Sequence, residues 1–343
     1  MSDSKGVDRR ALLKGSAATA MIMALLRGES AAAASAAGAP GGVAAAGRRR
    51  GALNSTGSHV FTANQTVTTL IPDRLYRIGC VVRAEMLSWL PEDLDAYEPL
   101  SAYMLMDDEN CIFQELGMPV TLPAMQSALE LVGKRKVYVW FSRNELDCIG
   151  NMGYVFGSCE SPTLLFGAMA GGILEWINDP AVAITEVRDF LGRIPIESVR
   201  NGVKRKVGAF DFSYMDAGSK QMIMTQWAFD ATTGTMFTSE SFGFRHLKHV
   251  NDSPVITSAK GLPSVSTVAR EIVERFNWMR EAEFPHLIAR FEQLFKDHDV
   301  QILAPVHGCV IQGREAVRAH VKLMTDAMRA ASKLSDSQRL QYV

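Results

Sequence analysis

Residues 137–150 read Val-Tyr-Val-Trp-Phe-Ser-Arg-Asn-Glu-Leu-Asp-Cys-Ile-Gly, and this stretch decides the fold. The apolar run 137–141 predicts a buried strand, while residues 122–131 before it carry apolar side chains at helical spacing. The basic residues 134–136 separate the two, so the stretch predicts a helix, a turn and a strand that ends in a polar loop. Loops at strand ends are where α/β folds assemble their sites, and this loop carries two carboxylates.

The segments on either side predict two groups of strands, each followed by helices. Because several adjacent strands are joined by short turns rather than by crossover helices, we expect a layered α/β sandwich and not a doubly wound sheet. The predicted elements are a strand at 75–82, a hairpin at 102–106 and 111–115, a helix at 161–177, strands at 207–215, 222–229 and 236–238, a long helix at 267–297 that is broken or kinked at Pro285, a strand at 301–303, and a helix at 314–332.

The composition is that of a soluble protein with a sizeable core, since 47% of the 343 residues are hydrophobic and 21% are charged. After Arg50, acidic side chains outnumber basic ones and no long basic run occurs, so nucleic acid is not an expected partner. Neither a glycine-rich dinucleotide fingerprint nor a phosphate-binding loop is found. The five cysteines are scattered and odd in number, which leaves room for one disulfide but does not pair it.

The amino terminus predicts export. Residues 8–14, Asp-Arg-Arg-Ala-Leu-Leu-Lys, resemble the twin-arginine motif, and the small residues 31–37 could present a cleavage site. The weakly apolar run 15–26 is shorter than the roughly 20 residues that a stable membrane span needs. We therefore expect a twin-arginine signal peptide at 1–37, a flexible Ala/Gly-rich linker at 38–60, a folded domain at 61–335, and a periplasmic or extracellular location. The alternative is an alanine-rich tail with a chance arginine pair.

Four polar segments, far apart in sequence, fall at predicted strand ends. They are residues 142–150, Gln221, residues 239–243 (Ser-Glu-Ser-Phe-Gly) and residues 304–308 (Ala-Pro-Val-His-Gly). In order and spacing they resemble the oxygen-reducing diiron domain of flavodiiron proteins, a branch of the metallo-β-lactamase superfamily, over most of residues 70–330. That family shows His-x-Glu-x-Asp-His-x-Gly, His-Trp-Pro-Asp, Ser-x-Asp-Ala-Phe-Gly and Pro-Ser-His-Gly at the corresponding places. The resemblance implies a four-layer αβ/βα metallo-β-lactamase-like sandwich.

The same resemblance implies a set of metal ligands, which this sequence keeps in part. The ligands carried over are Glu145, Asp147, Glu240 and His307. Two further positions that hold the first iron through histidines in the family carry Arg143 and Gln221 here. Because arginine stays protonated in proteins, it cannot coordinate a cation.

We therefore predict that the guanidinium of Arg143 takes the first metal position and pairs with Glu145. The second position, with Asp147, Glu240 and His307, is predicted to hold one metal, namely iron, with manganese or zinc as alternatives. Two more residues are assigned to the pocket beside Arg143 and Gln221. They are Cys148, with a buried apolar role as its alternative, and His246, with a surface position as its alternative.

The function implied by the resemblance is an exported, metal-dependent oxidoreductase that acts on a small molecule or activates oxygen. No flavin-binding domain is found in these 343 residues, so we expect any electron donor to be a separate protein. The resemblance also implies that the protein forms a homodimer. Two alternatives stay open: a metal-free descendant that binds a ligand or partner, and a metal-dependent hydrolase. The hydrolase ranks third because its His-x-His-x-Asp-His motif has no histidine at the matching positions here.

Overall fold

The computed structural model describes residues 63–91, 93–167, 194–219, 225–276 and 284–332. The predicted signal peptide, the predicted linker and Gln221 lie outside the described residues, so those assignments stay predictions. None of the described helices combines the length and the apolar content that a bilayer crossing requires.

Two mixed sheets of seven strands each form the centre of the described fold. The first sheet has the order β1-β2-β3-β4-β5-β6-β7, antiparallel from β1 to β4 and parallel from β4 to β7. Its strands are β1 (Ala63–Ile71), β2 (Leu75–Arg83), β3 (Tyr97–Met106), β4 (Asn110–Gln114), β5 (Lys136–Trp140), β6 (Thr163–Phe166) and β7 (Ile196–Ser198).

The second sheet has the order β12-β14-β13-β11-β10-β9-β8, with β11 and β13 parallel neighbours. Its strands are β8 (Lys204–Val207), β9 (Phe210–Asp216), β10 (Gln226–Asp230), β11 (Thr235–Ser239), β12 (Val255–Ile256), β13 (Ile302–Pro305) and β14 (Val310–Gln312). The described α-helices are α1 (Leu122–Val132), α2 (Leu146–Ile149), α3 (Met152–Ser158), α4 (Val265–Arg275), α5 (Phe284–Asp297) and α6 (Arg314–Ala331).

Successive side chains of a strand point to opposite faces of its sheet, and in both sheets the two faces pack against different cores. On β3, Tyr103 and Leu105 belong to the core between the sheets, whereas Met104 packs in a second core with residues of α1 and α3. On the second sheet, Phe237 faces the first core, and Met236 packs with α4, α5 and α6. The result is helix, sheet, sheet, helix, which confirms the predicted four-layer sandwich.

One predicted helix is a strand in the structure. Residues 161–166 were expected to begin a helix, but Thr163–Phe166 form β6, which pairs in parallel with β5 and β7. Leu164 and Leu165 are buried in different cores, so this strand is apolar on both faces. A short, uniformly apolar run does not reveal its period, which is why helix and strand could not be distinguished here. Residues 168–177 of the same prediction lie outside the described residues.

The predicted long helix at 267–297 is two helices, α4 and α5. Pro285 does not mark the break; it is the second residue of α5, in the first turn, where a missing N–H costs little. Ser264 caps α4 by accepting a hydrogen bond from the Thr267 N–H at 3.1 Å. The hairpin β3–β4 and the last helix agree with the sequence prediction.

The core beneath α5 gives a direct test of this packing. Phe291 is fully buried, and its ring lies 5.9 Å from that of Trp227 and 5.4 Å from that of Phe242. We expect Phe291→Ala to lower the free energy of unfolding by about 3–5 kcal/mol, because it removes apolar contacts and leaves a cavity. Val265→Ala on the exposed surface of α4 is the control, with an expected change within about 0.5 kcal/mol. Urea denaturation measures both, and equal effects would contradict the packing described.

Candidate functional site

The loops that follow β5, β11 and β13 meet at one place and are joined by backbone hydrogen bonds. The Gln226 N–H donates to the Ser142 carbonyl at 2.9 Å, which ties the first loop to the second sheet. The Val306 N–H donates to the Ser239 carbonyl at 2.6 Å, and the Val306 carbonyl accepts from Ser101 at 2.8 Å. The backbones of these loops are therefore held by both sheets.

At the centre of the three loops lies the guanidinium of Arg143, whose side chain is 1% exposed. Its Nε lies 2.5 Å from Glu145 Oε2 and 3.6 Å from Glu240 Oε2. Its Nη2 forms an ion pair with Asp147 and lies 3.3 Å from His307 Nε2. All four predicted metal ligands thus contact one guanidinium, that of Arg143.

The charges in this cluster stabilise one another. Burial by itself would raise the pKa of Asp147, but the charge of Arg143 and the nearby His307 lower it to well below its usual range. Burial would likewise lower the pKa of Arg143, and the surrounding carboxylates, Asp147 foremost, raise it well above the ordinary value. His307 Nε2 lies 2.7 Å from Asp147 Oδ2, which places the imidazole in the same network. Arg143 is charged at any pH at which the protein is folded.

Three residues that belong to the loops of the site or are bonded to them have left-handed backbones. Ser239 accepts a hydrogen bond from Arg143 Nη1 through its hydroxyl and has a φ of 55°. Phe242 and Glu115 also have left-handed backbones, with φ values of 69° and 65°. A left-handed backbone at a residue other than glycine costs about 1–3 kcal/mol and persists only where the surrounding structure enforces it. Such residues cluster at functional sites. Glu115 accepts from the Ser142 N–H at 2.9 Å, and burial raises its pKa to about 7.

The three other predicted pocket residues have different outcomes. Cys148 is buried, its Sγ lies 3.8 Å from Ser142 Oγ, and burial raises its pKa well above the ordinary value. His246 was expected to reach the pocket, but it does not line the cavity. Its Nδ1 lies 2.6 Å from Glu98 and its Nε2 lies 3.0 Å from Glu271, and both carboxylates are buried. Gln221 lies outside the described residues.

A cavity of about 500 Å³ opens beside Arg143, and several residues that line it were missed by the sequence analysis. Trp89 lines it, with its ring centroid 4.8 Å from that of His307. Glu274 and Arg275, at the end of α4, line it as well. Arg275 donates to the Glu240 carbonyl at 3.1 Å. No motif marks these residues, because they come from an irregular segment and from the face of an amphipathic helix.

A larger groove, of about 710 Å³, lies along α5 and α6, away from the loops that hold Arg143. Its charges are in part already paired with one another, as in Arg314 with Asp299 at 2.5 Å. The groove contains none of the residues that the sequence predicted for a site. The cavity beside Arg143 is therefore the functional candidate.

Solved structures share this architecture. Rubredoxin oxygen:oxidoreductase from Desulfovibrio gigas superposes with a TM-score of 0.57 at 14% identity, covering 78% of this chain and 62% of that one. The fold is that of the flavodiiron proteins. The flavodiiron protein from Giardia intestinalis gives a TM-score of 0.53 at 12% identity, covering 76% of this chain and 59% of that one. A third structure is a fragment, residues 1–254, of a protein from Nostoc sp. PCC 7120 named as a putative diflavin flavoprotein. It gives a TM-score of 0.56 at 14% identity, covering 78% of this chain and 98% of the fragment.

The chain thus corresponds to about three fifths of the length of the two full proteins. No family model matches the sequence, and no curated protein does. At these identities the likeness establishes the fold of the sandwich.

The residues present do not fit a diiron centre. Among the described residues, no group of three or more His, Cys, Asp or Glu side chains is arranged to hold a metal ion. Arg143 lies among Glu145, Asp147, Glu240 and His307, where it occupies the space between them and repels a cation. A metal could share these ligands if the guanidinium moved away.

The ion pairs of His246 give a pH test of the network behind the cavity. Burial would lower the pKa of His246, but Glu98 and Glu271 raise it to about 9 from the usual 6.5. Since the folded-state pKa is raised, this stabilisation is fully present below pH 6.5 and is lost as pH rises through about 9. Its size is on the order of 3 kcal/mol.

We expect the free energy of unfolding of the wild type to exceed that of His246→Gln at pH 6, and the difference to shrink by about 3 kcal/mol by pH 10. Denaturant titration across this pH range measures it. His249→Gln, at an exposed neighbouring position, is the control and should show no such trend. A difference that is constant with pH would mean that His246 is not charged in the folded protein.

Proposed function

We propose that the protein binds a small molecule in the cavity beside Arg143 and that this guanidinium, in place of a metal ion, holds the site together. The observation that carries the proposal is the contact of Arg143 with Glu145, Asp147, Glu240 and His307 at once. A guanidinium is planar, permanently charged and weakly hydrated, which makes it suited to a buried position among carboxylates. On this proposal the flavodiiron fold serves as a rigid scaffold for a binding pocket.

The cavity supports a ligand-binding role by its size and its lining. Ligand pockets typically enclose about 300–1,000 Å³, and the volume of about 500 Å³ falls within that range. Trp89 and Met118 supply apolar surface, and the acids around Arg143 supply a small number of oriented polar groups. The loops that carry those acids are fixed by both sheets, so little ordering is needed when a ligand binds.

A second candidate is an iron-dependent oxidoreductase with one metal. It is favoured by the approach of His307 Nε2 to Asp147 Oδ2 at 2.7 Å, with Glu240 in the same cluster, and by the names of the structural neighbours, which include an oxygen:oxidoreductase. It requires Arg143 to leave its present position. A separate electron donor and a homodimer would belong to this candidate and stay predictions.

Metal analysis of Arg143 variants separates the two candidates. We expect wild-type protein, incubated with ferrous iron without oxygen and then desalted, to retain no stoichiometric metal. Arg143→His replaces the positive charge with a potential ligand and should gain about one Zn²⁺ or Fe²⁺ per chain. Without metal, the same variant should be less stable by about 3–5 kcal/mol, because several buried carboxylates lose their counter-ion.

Arg143→Lys is the matched control, since it keeps the charge and should stay metal-free. Added Zn²⁺ should raise the Tm of Arg143→His and leave that of Arg143→Lys unchanged. Elemental analysis and thermal unfolding measure both effects. Stoichiometric iron in the wild type would reject the metal-free proposal in favour of the second candidate.

We also propose that the chain is exported by the twin-arginine pathway. Replacement of both Arg9 and Arg10 by lysine should keep the protein in the cytoplasm, because the pathway reads the arginine pair as an address. Arg27→Lys, which also exchanges an arginine in the amino-terminal segment, should be exported as the wild type is. Cell fractionation and immunoblotting measure the distribution. Equal export of all three proteins would contradict this proposal.

A further inference from the structure

The charged residues that line the cavity have an excess of negative charge. Its carboxylates are Glu145, Asp147, Glu240 and Glu274, and its guanidiniums are Arg143 and Arg275. His307 adds at most one positive charge. Among the described residues of the lining, the acids therefore outnumber the positive groups even with His307 counted as one of them, although Glu274 is paired at 2.9 Å with Arg270 outside the lining. Low-dielectric walls strengthen the potential that a ligand meets there.

Neither guanidinium is available to an anionic ligand. Arg143 is occupied by the acids that surround it, and its side chain is 1% exposed. Arg275 donates to the Glu240 carbonyl at 3.1 Å and lies 3.5 Å from Glu98, which is fully buried behind the cavity. Among the described residues of the lining, the positive charge is thus engaged within the protein. The acids are in part accessible, since Glu145 is 35% exposed.

Three buried polar atoms of the cavity wall, Asp147 Oδ1, Trp89 Nε1 and His307 Nδ1, have no hydrogen-bond partner among the described residues. The other oxygen of the Asp147 carboxylate, Oδ2, contacts Arg143 and His307. The Asp147 side chain is 9% exposed. An unsatisfied buried acceptor costs about 1–3 kcal/mol, and a ligand that carries an N–H would satisfy it.

An aromatic ring stands in the same cavity wall. Trp89 lines the cavity together with the thioether of Met118, and His307 supports the ring from one side at 4.8 Å between centroids. The indole face is the strongest of the aromatic cation sites in proteins. The excess of acids, the unpartnered Asp147 oxygen and the indole face favour a cationic group, and the unpartnered Trp89 N–H would pair with an acceptor on the same ligand.

We propose that the cavity binds an organic cation with N–H donors, a primary ammonium or guanidinium compound, with its charged group toward Asp147 and Glu145. This inference rests on the proposed metal-free function, since a metal ion among the same acids would cancel the negative excess. The volume of about 500 Å³ leaves room for a hydrophobic body beside Trp89.

Four probes of one shape test the proposal by calorimetry and by the change in tryptophan fluorescence. They are benzylamine, benzyltrimethylammonium, benzyl alcohol and benzoate, all at pH 7 with the full chain in desalted, metal-analysed form. We expect benzylamine to bind more tightly than benzyl alcohol by a factor of about ten or greater. Benzyltrimethylammonium should bind more weakly than benzylamine because it has no N–H for Asp147, and benzoate should bind weakest of the four.

Charge-neutralising variants locate the site. Glu145→Gln should weaken the binding of benzylamine about five- to tenfold and leave the binding of benzyl alcohol unchanged, because it removes one charge from a partly exposed position. Glu274→Gln, at a second position in the wall, should also weaken it and provides a result if the first variant folds poorly. The control is Glu315→Gln, at an exposed position on α6 outside the cavity, which should bind benzylamine as the wild type does.

Three results would overturn the cation proposal: benzoate binding as tightly as benzylamine, no difference between benzylamine and benzyl alcohol, or Glu145→Gln and Glu274→Gln both binding benzylamine as the control does. Benzyltrimethylammonium binding as tightly as benzylamine would overturn the assignment of an N–H contact to Asp147. Each of these results, obtained with metal-free protein, leaves the role of Arg143 intact. Stoichiometric metal in the wild type is the separate result that rejects the proposed function.

Discussion

The pairing of the Arg143 guanidinium with the surrounding acids is the interaction on which the site depends. Removing charges from water is costly, and a buried ion pair recovers that cost only where geometry and extra hydrogen bonds are favourable. Here the guanidinium is 1% exposed, and it reaches acids on the loops after β5 and β11 together with a serine hydroxyl. The cluster adds little net stability compared with an apolar core, but it specifies how these loops meet.

On the proposed function, this cluster exchanges a metal ion for a side chain. A metal ion and a guanidinium both bring positive charge to converging carboxylates, but the guanidinium is attached to the chain and cannot dissociate. It carries a single charge against Glu145, Asp147 and Glu240, so the surroundings stay negative in a way that a diiron centre would not. The left-handed backbone of Ser239, which contacts the guanidinium, is consistent with a site whose geometry is imposed by the scaffold.

Much of the sandwich could be predicted because turn signals separate its strands. The polar residues 107–110 mark the hairpin between β3 and β4, although β3 is apolar on both faces. The strand at 163–166 could not be recognised, because a strand buried on both faces has no period to read.

The site was predictable where residues share a short segment and not where it depends on packing. Arg143 and Glu145 are two residues apart, so their pairing could be expected from charge alone. The contribution of Trp89 and Arg275 comes from segments without a motif. The contacts of His246 could not be predicted from its nearness to Gly243 in sequence, because its partners Glu98 and Glu271 come from β3 and α4, far away along the chain.

The loops after β11 and β13 touch backbone to backbone. A Cβ built on Gly308, whose φ is 83°, would lie 2.8 Å from the Cα of Gly243, and one built on Gly243 would collide with Arg275. A side chain at Gly308 would therefore displace the backbone of the loop after β11, and one at Gly243 would displace the Arg275 guanidinium from the cavity wall. Substitutions that change the shape of the pocket are consequently expected at the segment around Trp89 and along α4 rather than at this crossing.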